Sequence, residues 1–179
     1  MTNLTKIPSE SFYYKVEKAV GKELMKNIVK YNGFIGGGSC LSWFAKEEIK
    51  DYDFFFPSKM DYFRFKNFTF DETSYDEEND TGGFLEEIPS GLDSEYEKVW
   101  ISDNASTFKN TVSDTIIQFI HNHYNPIEKQ IASFDFTVCA IAYDLKEKCF
   151  YTHPKFFDDL NDKRLRVIAT DESMLYPLA

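Results

Sequence analysis

The chain has 179 residues and a formal net charge of −10, and 42% of its residues are apolar, including 18 Phe and 11 Tyr. This length predicts one domain over residues 1–179, with enough aromatic side chains for a large core. No apolar run reaches the roughly 20 residues of a membrane-spanning helix, and the N-terminus lacks the basic and apolar regions of a secretory signal. We therefore expect a cytoplasmic protein that does not engage a membrane.

The first half of the chain predicts a helix, two strands and a glycine-rich turn between them. One amphipathic helix begins after Pro8-Ser9 and ends at Asn32-Gly33, with apolar residues at helical spacing: Phe12, Val16, Val20, Leu24 and Ile28. Residues 34–35 predict a short strand that enters the turn "GGGS", and residues 40–48 can form one or two helical turns. The stretch "KDYDFFFP" predicts a second strand, and residues 61–70 fit either a helix or a strand.

Acidic residues are concentrated in the segment 71–97, which holds eleven Asp or Glu and no Lys or Arg. The other 19 of the 30 acidic residues nearly balance the 20 basic ones, so the acidity belongs to an insertion and not to the whole fold. A solvated loop is the expected form of this segment, and an acidic surface for a basic partner is the alternative. No basic stripe is visible, which argues against a broad surface that coats nucleic acid.

The second half predicts further strands with short helices. The expected strands are "KVWI" (98–101), "DTIIQFI" (114–120) and "FDFTVCAIAYD" (134–144). The expected helices are a short segment that begins "NASTF", one after Asn125-Pro126, and a last one within "PKFFDDLNDKRLRVIA" that a final strand can follow. This order predicts an α/β or α+β domain built on one mixed sheet.

Cysteine and histidine do not predict a metal centre. The three cysteines lack paired zinc-ligand spacing, and their odd number argues against a disulfide framework. His121 and His123 in "IHNHYNP" form a common pair, which we expect to be two solvated side chains of a loop.

Two carboxylates stand in a segment that otherwise predicts buried core. Asp51 and Asp53 project from the same face of the predicted strand, with Tyr52 on the other face. Their mutual repulsion and desolvation favour a bound cation, and a hard divalent ion such as Mg²⁺ prefers oxygen ligands. Asp135 lies between two phenylalanines of the strand predicted at 134–144. If that strand lies beside the first, three carboxylates meet and can hold two metal ions.

The turn "GGGS" has the features of a phosphate-binding loop, although its pattern is not that of a Walker A loop. Glycine lets the backbone approach a ligand closely and present its N–H groups near a helix start. Gly37, Gly38 and the hydroxyl of Ser39 are the candidate phosphate-binding residues.

Together, "IGGGS", "CLSWFAKEE", "DYDFFF" and the Asp of "FDFTVCAIAY" resemble the polymerase-beta-like nucleotidyltransferase superfamily. Its signature is an apolar residue with Gly-Gly or Gly-Ser, a short helix, Asp-x-Asp before apolar residues, and a third Asp on a later strand. The order of elements at 118–136 is also similar to that of small nucleotidyltransferase-like proteins common in phage genomes. The resemblance spans roughly residues 33–144.

This resemblance implies a mixed sheet flanked by helices that binds a nucleoside triphosphate with two Mg²⁺ or Mn²⁺ ions. In that pattern Asp51 and Asp53 bind both ions, and Asp135 binds the catalytic ion and acts as, or positions, the base for the acceptor hydroxyl. The triphosphate lies on residues 37–39. The nucleoside monophosphate passes to a hydroxyl of RNA, a protein or a small molecule, and pyrophosphate leaves. For a phage protein, the place of action is the host cytoplasm.

Two other functions fit the same sequence. A binding protein on this fold can sense a nucleotide, or engage a partner through residues 71–97, without turnover. A metal-dependent phosphohydrolase or nuclease can use the same carboxylates with water as the nucleophile. Pyrophosphate release distinguishes the transferase from the hydrolase, and loss of Asp53 distinguishes either enzyme from a protein that acts through the acidic segment.

Overall fold

The computed structural model describes residues 4–70 and 95–168, and these residues build one mixed sheet of eight strands with helices on both faces. The strands are β1 (Thr5–Pro8), β2 (Phe34–Gly36), β3 (Asp51–Phe55), β4 (Tyr96–Ile101), β5 (Ala105–Asn110), β6 (Ile116–Ile120), β7 (Ile141–Asp144) and β8 (Cys149–Thr152). The helices are α1 (Glu10–Val20), α2 (Lys22–Lys30), α3 (Gly38–Ala45), α4 (Lys59–Phe70), α5 (Ile127–Ala132) and α6 (Phe156–Asn161). The predicted fold class, a mixed sheet flanked by helices, is confirmed.

The strand order is β1-β8-β7-β2-β3-β6-β5-β4. β3 pairs with β2 in antiparallel and with β6 in parallel orientation, while β7 lies on the far side of β2. The strand that carries the two aspartates is therefore central, and its neighbours are β2 and β6.

Two apolar clusters cover the two faces of the sheet. The larger cluster joins α1 and α2 to the face that carries Tyr52 and Phe54, both almost fully buried. The smaller cluster lies on the other face, where Phe34 and Phe55 pack with Ile131 of α5. Because side chains alternate along β3, Asp51 and Asp53 share this second face with Phe55.

The single helix predicted from Pro8-Ser9 to Asn32-Gly33 is two helices separated at Gly21. Ser9 caps α1, because its side-chain oxygen accepts the backbone N–H of Phe12. Gly21 has a φ of 79°, and the hydroxyl of Tyr96 on β4 donates a hydrogen bond to the carbonyl oxygen of Val20. A Cβ at Gly21 would lie 2.8 Å from that hydroxyl oxygen. A contact with a distant strand thus ends α1, which helical periodicity cannot reveal.

The helical segment predicted at "NASTF" is wrong, because these residues begin strand β5. Buried and partly buried side chains alternate along β5, which is the period of a half-covered strand. Ser102 holds the tight turn between β4 and β5, since its hydroxyl oxygen accepts the backbone N–H groups of Asn104 and Ala105. The hydroxyl therefore stabilises a hairpin and does not start a helix.

The strand predicted at 134–144 is reduced to Ile141–Asp144. Residues 136–140 form tight turns, with hydrogen bonds from Cys139 N to Phe136 O and from Ala140 N to Thr137 O. The hydroxyl of Thr137 donates to the buried carboxylate of Asp159 at 2.6 Å, which holds the turn against α6. Apolar β-branched residues favoured a long strand, but this buried polar contact decides the conformation.

Several other boundaries differ from the predictions. Strands β1 and β8 were not predicted, and the ambiguous residues 61–70 belong to helix α4. The final strand is only an isolated bridge between Val167 and Phe136. Most of the acidic insertion predicted at 71–97, namely residues 71–94, lies outside the described residues. Its last two residues, Tyr96 and Glu97, belong to β4. In the described part of the chain, no helix is long and apolar enough to cross a membrane.

Candidate active site

The glycine-rich turn joins β2 to α3, as the sequence predicted. Gly37 has a φ of 74° and a ψ of −129°, a conformation that side chains with a Cβ rarely adopt. Its backbone N–H donates to Ile141 O on β7 at 3.1 Å, so this amide is already paired. Gly38 is exposed, and a Cβ there would meet nothing within 4 Å. Gly37 therefore shapes the turn, and the space beside Gly38 is open.

Ser39 lies in the first turn of α3, where the first helical N–H groups have no acceptor within the helix. Ser39 is 2% exposed, and among the described residues its hydroxyl oxygen has no hydrogen-bond partner. A buried hydroxyl without a partner is costly, and a ligand oxygen can satisfy it. Ser39 and the amides beside it therefore suit an anionic group.

The two aspartates of β3 lie at the same end of the sheet as this turn. β2 and β3 pair with Ile35 opposite Phe54, so the register continued by one residue brings Gly36 next to Asp53. Both aspartate side chains are partly buried, whereas Phe55 on the same face is covered by the smaller cluster. The carboxylates thus lie where that apolar cover ends.

The pair is electrostatically unfavourable when no cation is bound. Burial, and then the charge of Asp51, raise the pKa of Asp53 to about 6. Within the described residues, neither carboxylate makes a hydrogen bond or an ion pair. A divalent cation with oxygen ligands would relieve both the repulsion and the lack of partners. Asp51 and Asp53 therefore fit a Mg²⁺ or Mn²⁺ ion.

Asp135 does not lie on a strand beside β3, which corrects the geometry expected for three converging carboxylates. It is exposed on the segment before β7, and β2 separates β7 from β3. The ring of Phe134 nevertheless packs over the turn, 3.3 Å from where a Cβ of Gly37 would lie. Among the described residues, no three His, Cys, Asp or Glu side chains form a group that could hold a metal ion.

Gln118 is a neighbour of the carboxylates that the sequence prediction missed. On β6 it is the register partner of Asp53, and Ile116 is the partner of Asp51. The only signal in the sequence was a polar residue in the middle of the apolar strand "IIQFI".

Two of the three basic residues at 163–166, Arg164 and Arg166, are engaged in ion pairs. Arg166 donates two hydrogen bonds to Asp159, at 2.8 and 3.1 Å, and the Asp159 side chain is fully buried. Arg164 pairs with Asp162 at 3.2 Å. These contacts stabilise the segment that carries Asp135. They account for the two arginines as structural residues, without a role in binding a triphosphate.

The two histidines lie in a loop after β6, as predicted, but their rings are only partly exposed. The His121 ring bonds to the Ser106 hydroxyl and to the backbone oxygen of Asp103, both at 3.0 Å. Both imidazoles pack against the ring of Tyr62, and burial lowers their pKa values. The sequence "IHNHYNP" thus forms part of the structural packing at the opposite end of β6 from Ile116.

Cys40 follows Ser39, and its burial disfavours a role as a nucleophile. The thiol is fully buried, and burial raises its pKa far above the ordinary value.

A protein-family model described as "Gabija anti-defense 2 family protein" matches residues 10–163. A curated relative, "Gabija anti-defense 2" of Bacillus phage SPbetaL7, is 24% identical over 166 residues. The match covers 92% of this chain and 34% of the relative, so the chain spans about a third of that protein's length.

The similar solved structures include tRNA nucleotidyltransferases. A tRNA-processing enzyme in an apo form superposes with a TM-score of 0.57 at 14% identity, covering 92% of this chain and 39% of the enzyme. The Thermotoga maritima CCA-adding enzyme complexed with tRNA gives a TM-score of 0.56 at 14% identity, covering 94% and 37%. A CCA-adding enzyme with CTP gives 0.57 at 12% identity, covering 94% and 38%. At these identities the similarity shows the fold.

Proposed function

The chain belongs to the Gabija anti-defense 2 family, and we propose that it acts as a metal-dependent nucleotidyltransferase whose product counters that defence. The observation that carries the proposal is the unpartnered carboxylate pair Asp51 and Asp53 beside a glycine turn, on a fold shared with tRNA nucleotidyltransferases. The expected substrate is a nucleoside triphosphate, and the acceptor is a hydroxyl of RNA, a protein or a small molecule.

In this proposal, different residues bind the phosphates, the cation and the acceptor hydroxyl. The hydroxyl of Ser39 and the amides at the start of α3 are proposed to bind the phosphates, because the hydroxyl has no partner among the described residues and the first amides of a helix have no acceptor within it. Asp51 and Asp53 hold the divalent cation, which when bound stabilises charge on the reacting phosphoryl oxygens. Asp135, next to the residue that packs on the turn, is proposed to meet the acceptor hydroxyl and orient it or accept its proton.

The first experiment measures nucleotide binding, because binding requires no known acceptor. Thermal unfolding is recorded with each of the four NTPs, with and without Mg²⁺ or Mn²⁺. A ligand at about 100 times its Kd adds roughly 2.7 kcal/mol, which raises the Tm by about 5–11 °C for a chain of this size. We expect a metal-dependent shift with at least one NTP in the wild type and none in Asp53→Asn.

Asp103→Asn is the matched control. Asp103 is exposed in the turn between β4 and β5, at the opposite end of the sheet, so this variant should shift like the wild type. If millimolar NTP shifts the wild type with neither metal, the transferase proposal fails. Pyrophosphate release, with transfer of labelled nucleotide, then separates transfer from hydrolysis to phosphate.

A binding function without turnover is the second candidate, and the family name gives it weight, because a protein can counter a defence system by binding alone. Host cells that carry Gabija defence and express the wild type or Asp53→Asn distinguish the two. Loss of protection in Asp53→Asn, at equal protein level, supports the transferase. Full protection by Asp53→Asn favours the binding function.

A further inference from the structure

Gln118 lies on the same face of the sheet as the two aspartates, the face that carries the smaller cluster. Along β6 the side chains of Ile117 and Phe119 are almost fully buried in the larger cluster. Gln118 therefore points to the other face, as Asp53 does. Adjacent strands are about 4.8 Å apart, and residues two apart on one strand are about 6.6 Å apart. The side chains of Asp51, Asp53 and Gln118 therefore start within reach of one cation.

The surroundings of Gln118 leave its side-chain amide available to a ligand. Its side chain is partly buried, and within the described residues its amide makes no side-chain hydrogen bond. On β5 its register partner is Thr107, one strand farther from Asp53. The amide atoms of Gln118 are not among the fully buried polar atoms, so a ligand can reach them. The unpartnered hydroxyl of Ser39 is an independent sign that this end of the sheet accommodates a ligand.

We propose that the amide oxygen of Gln118 is the third protein ligand of the cation held by Asp51 and Asp53. This inference rests on the proposed function. An amide oxygen is a suitable ligand for hard divalent cations, and it adds no charge. The site thus carries two negative charges from its protein ligands, and the remaining positions are left for phosphate oxygens and water.

The neutral ligand has a testable consequence for the affinity of the metal ion. Gln118→Glu adds a third carboxylate, so it should bind the cation more tightly. Gln118→Leu removes the ligand, and its side chain fits beside Ile116 and Ile120 on the same face. The site of three aspartates predicted from the sequence has a different consequence. There, Asp135→Asn should weaken cation binding, and substitution of Gln118 should leave cation binding unchanged.

The test is a titration of Mn²⁺ followed by electron paramagnetic resonance of the free ion, without nucleotide. We expect Gln118→Leu to weaken Mn²⁺ binding by about tenfold, on the scale known for residues that support a metal site. Gln118→Glu should strengthen binding, and Asp53→Asn should abolish it. Thr107→Val, one strand farther along the same row, is the matched control and should bind like the wild type.

Circular dichroism and metal-free thermal unfolding verify that each variant is folded. Equal Mn²⁺ affinity in the wild type and Gln118→Leu, with binding lost in Asp53→Asn, overturns the role of Gln118 and leaves the proposed function in place. Weaker binding in Asp135→Asn with unchanged binding in Gln118→Leu overturns it in favour of Asp135. Absence of Mn²⁺ binding to the wild type overturns the inference, and absence of any NTP shift shows separately that the proposed function fails.

Discussion

Asp159 is a single residue on which the segment next to the candidate site depends. Its fully buried carboxylate accepts two hydrogen bonds from Arg166 and one from Thr137, two residues after Asp135. A buried carboxylate is stable only when such donors compensate its desolvation. Arg166, followed by Thr137, lowers the pKa of Asp159 to about 2. The ionised form therefore stabilises the fold.

This shift predicts how stability depends on pH. Because the pKa of Asp159 is lower in the folded chain than its ordinary value of 3.8, the stabilisation is complete above about pH 4 and is lost as the pH falls towards 2. Asp159→Asn should have a lower Tm at pH 7, and its Tm should fall less between pH 4 and pH 2 than that of the wild type. Thermal unfolding over this pH range measures both effects.

Asp158→Asn is the control for Asp159. Asp158 is mostly exposed and pairs with Lys155 on the surface, so its loss should change the stability by less than about 0.5 kcal/mol. Equal Tm values for the two variants at pH 7 would contradict the structural role assigned to Asp159.

Among the secondary-structure elements, the turn between β2 and α3 has the most specific requirements. Gly37 adopts a positive φ, its N–H pairs with β7, and the ring of Phe134 lies against it. Gly38 is the first residue of α3 and has open space around its Cα. Two adjacent glycines thus serve different purposes, one conformational and one that keeps space free.

A comparison of two alanine variants tests this difference. Gly37→Ala should lose about 1–3 kcal/mol of stability, because a Cβ is strained at this φ and ψ. Gly38→Ala should keep the wild-type stability or gain up to about 1 kcal/mol, because alanine favours the helix. Urea unfolding of both variants measures the contrast. Similar losses in the two would show that the turn does not constrain Gly37 as described.

At the scale of the whole molecule, the charge and the candidate site are separate features. Residues 71–97 hold eleven of the 30 acidic residues, while the carboxylate pair lies on β3 at the centre of the sheet. Helix α4 ends where the acidic segment begins. It packs against α2, and α2 belongs to the larger cluster, on the opposite face of the sheet from Asp51 and Asp53. After that segment the described chain resumes at β4, three strands from β3, and the register through β5 and β6 puts Tyr96 at the end of the sheet where Asp51 lies.

We predict that the acidic segment does not bind the nucleotide, because every candidate phosphate or metal ligand lies outside residues 71–94. Replacing Asp and Glu by Asn and Gln at 71–94 should leave the NTP-dependent Tm shift within about 1 °C of the wild type at 0.15 M salt, where charges are screened beyond about 8 Å. The same variant is also tested for protection in host cells that carry Gabija defence. Lost protection with an unchanged nucleotide shift would assign the anti-defence activity to this segment.

The sequence by itself determined the features that depend on neighbouring residues. Alternation along a strand places Asp51 and Asp53 on one face, glycine permits the turn, and apolar runs identify β3 and β6. Together with the resemblance, these local rules predicted the fold class, because each requires only a few consecutive residues. The glycine turn and the Asp pair were therefore found where the sequence had placed them.

Only the tertiary structure decided which residues surround the pair. Strand order and register join segments that are far apart in the chain, so no local pattern shows that Gln118 is the neighbour of Asp53. Long-range contacts likewise end α1 at Gly21 through Tyr96, and they hold Asp135 off the strand through Thr137 and Asp159. The energy of such contacts comes from burial and from satisfied polar groups, which depend on the assembled sheet and not on the residues next in sequence.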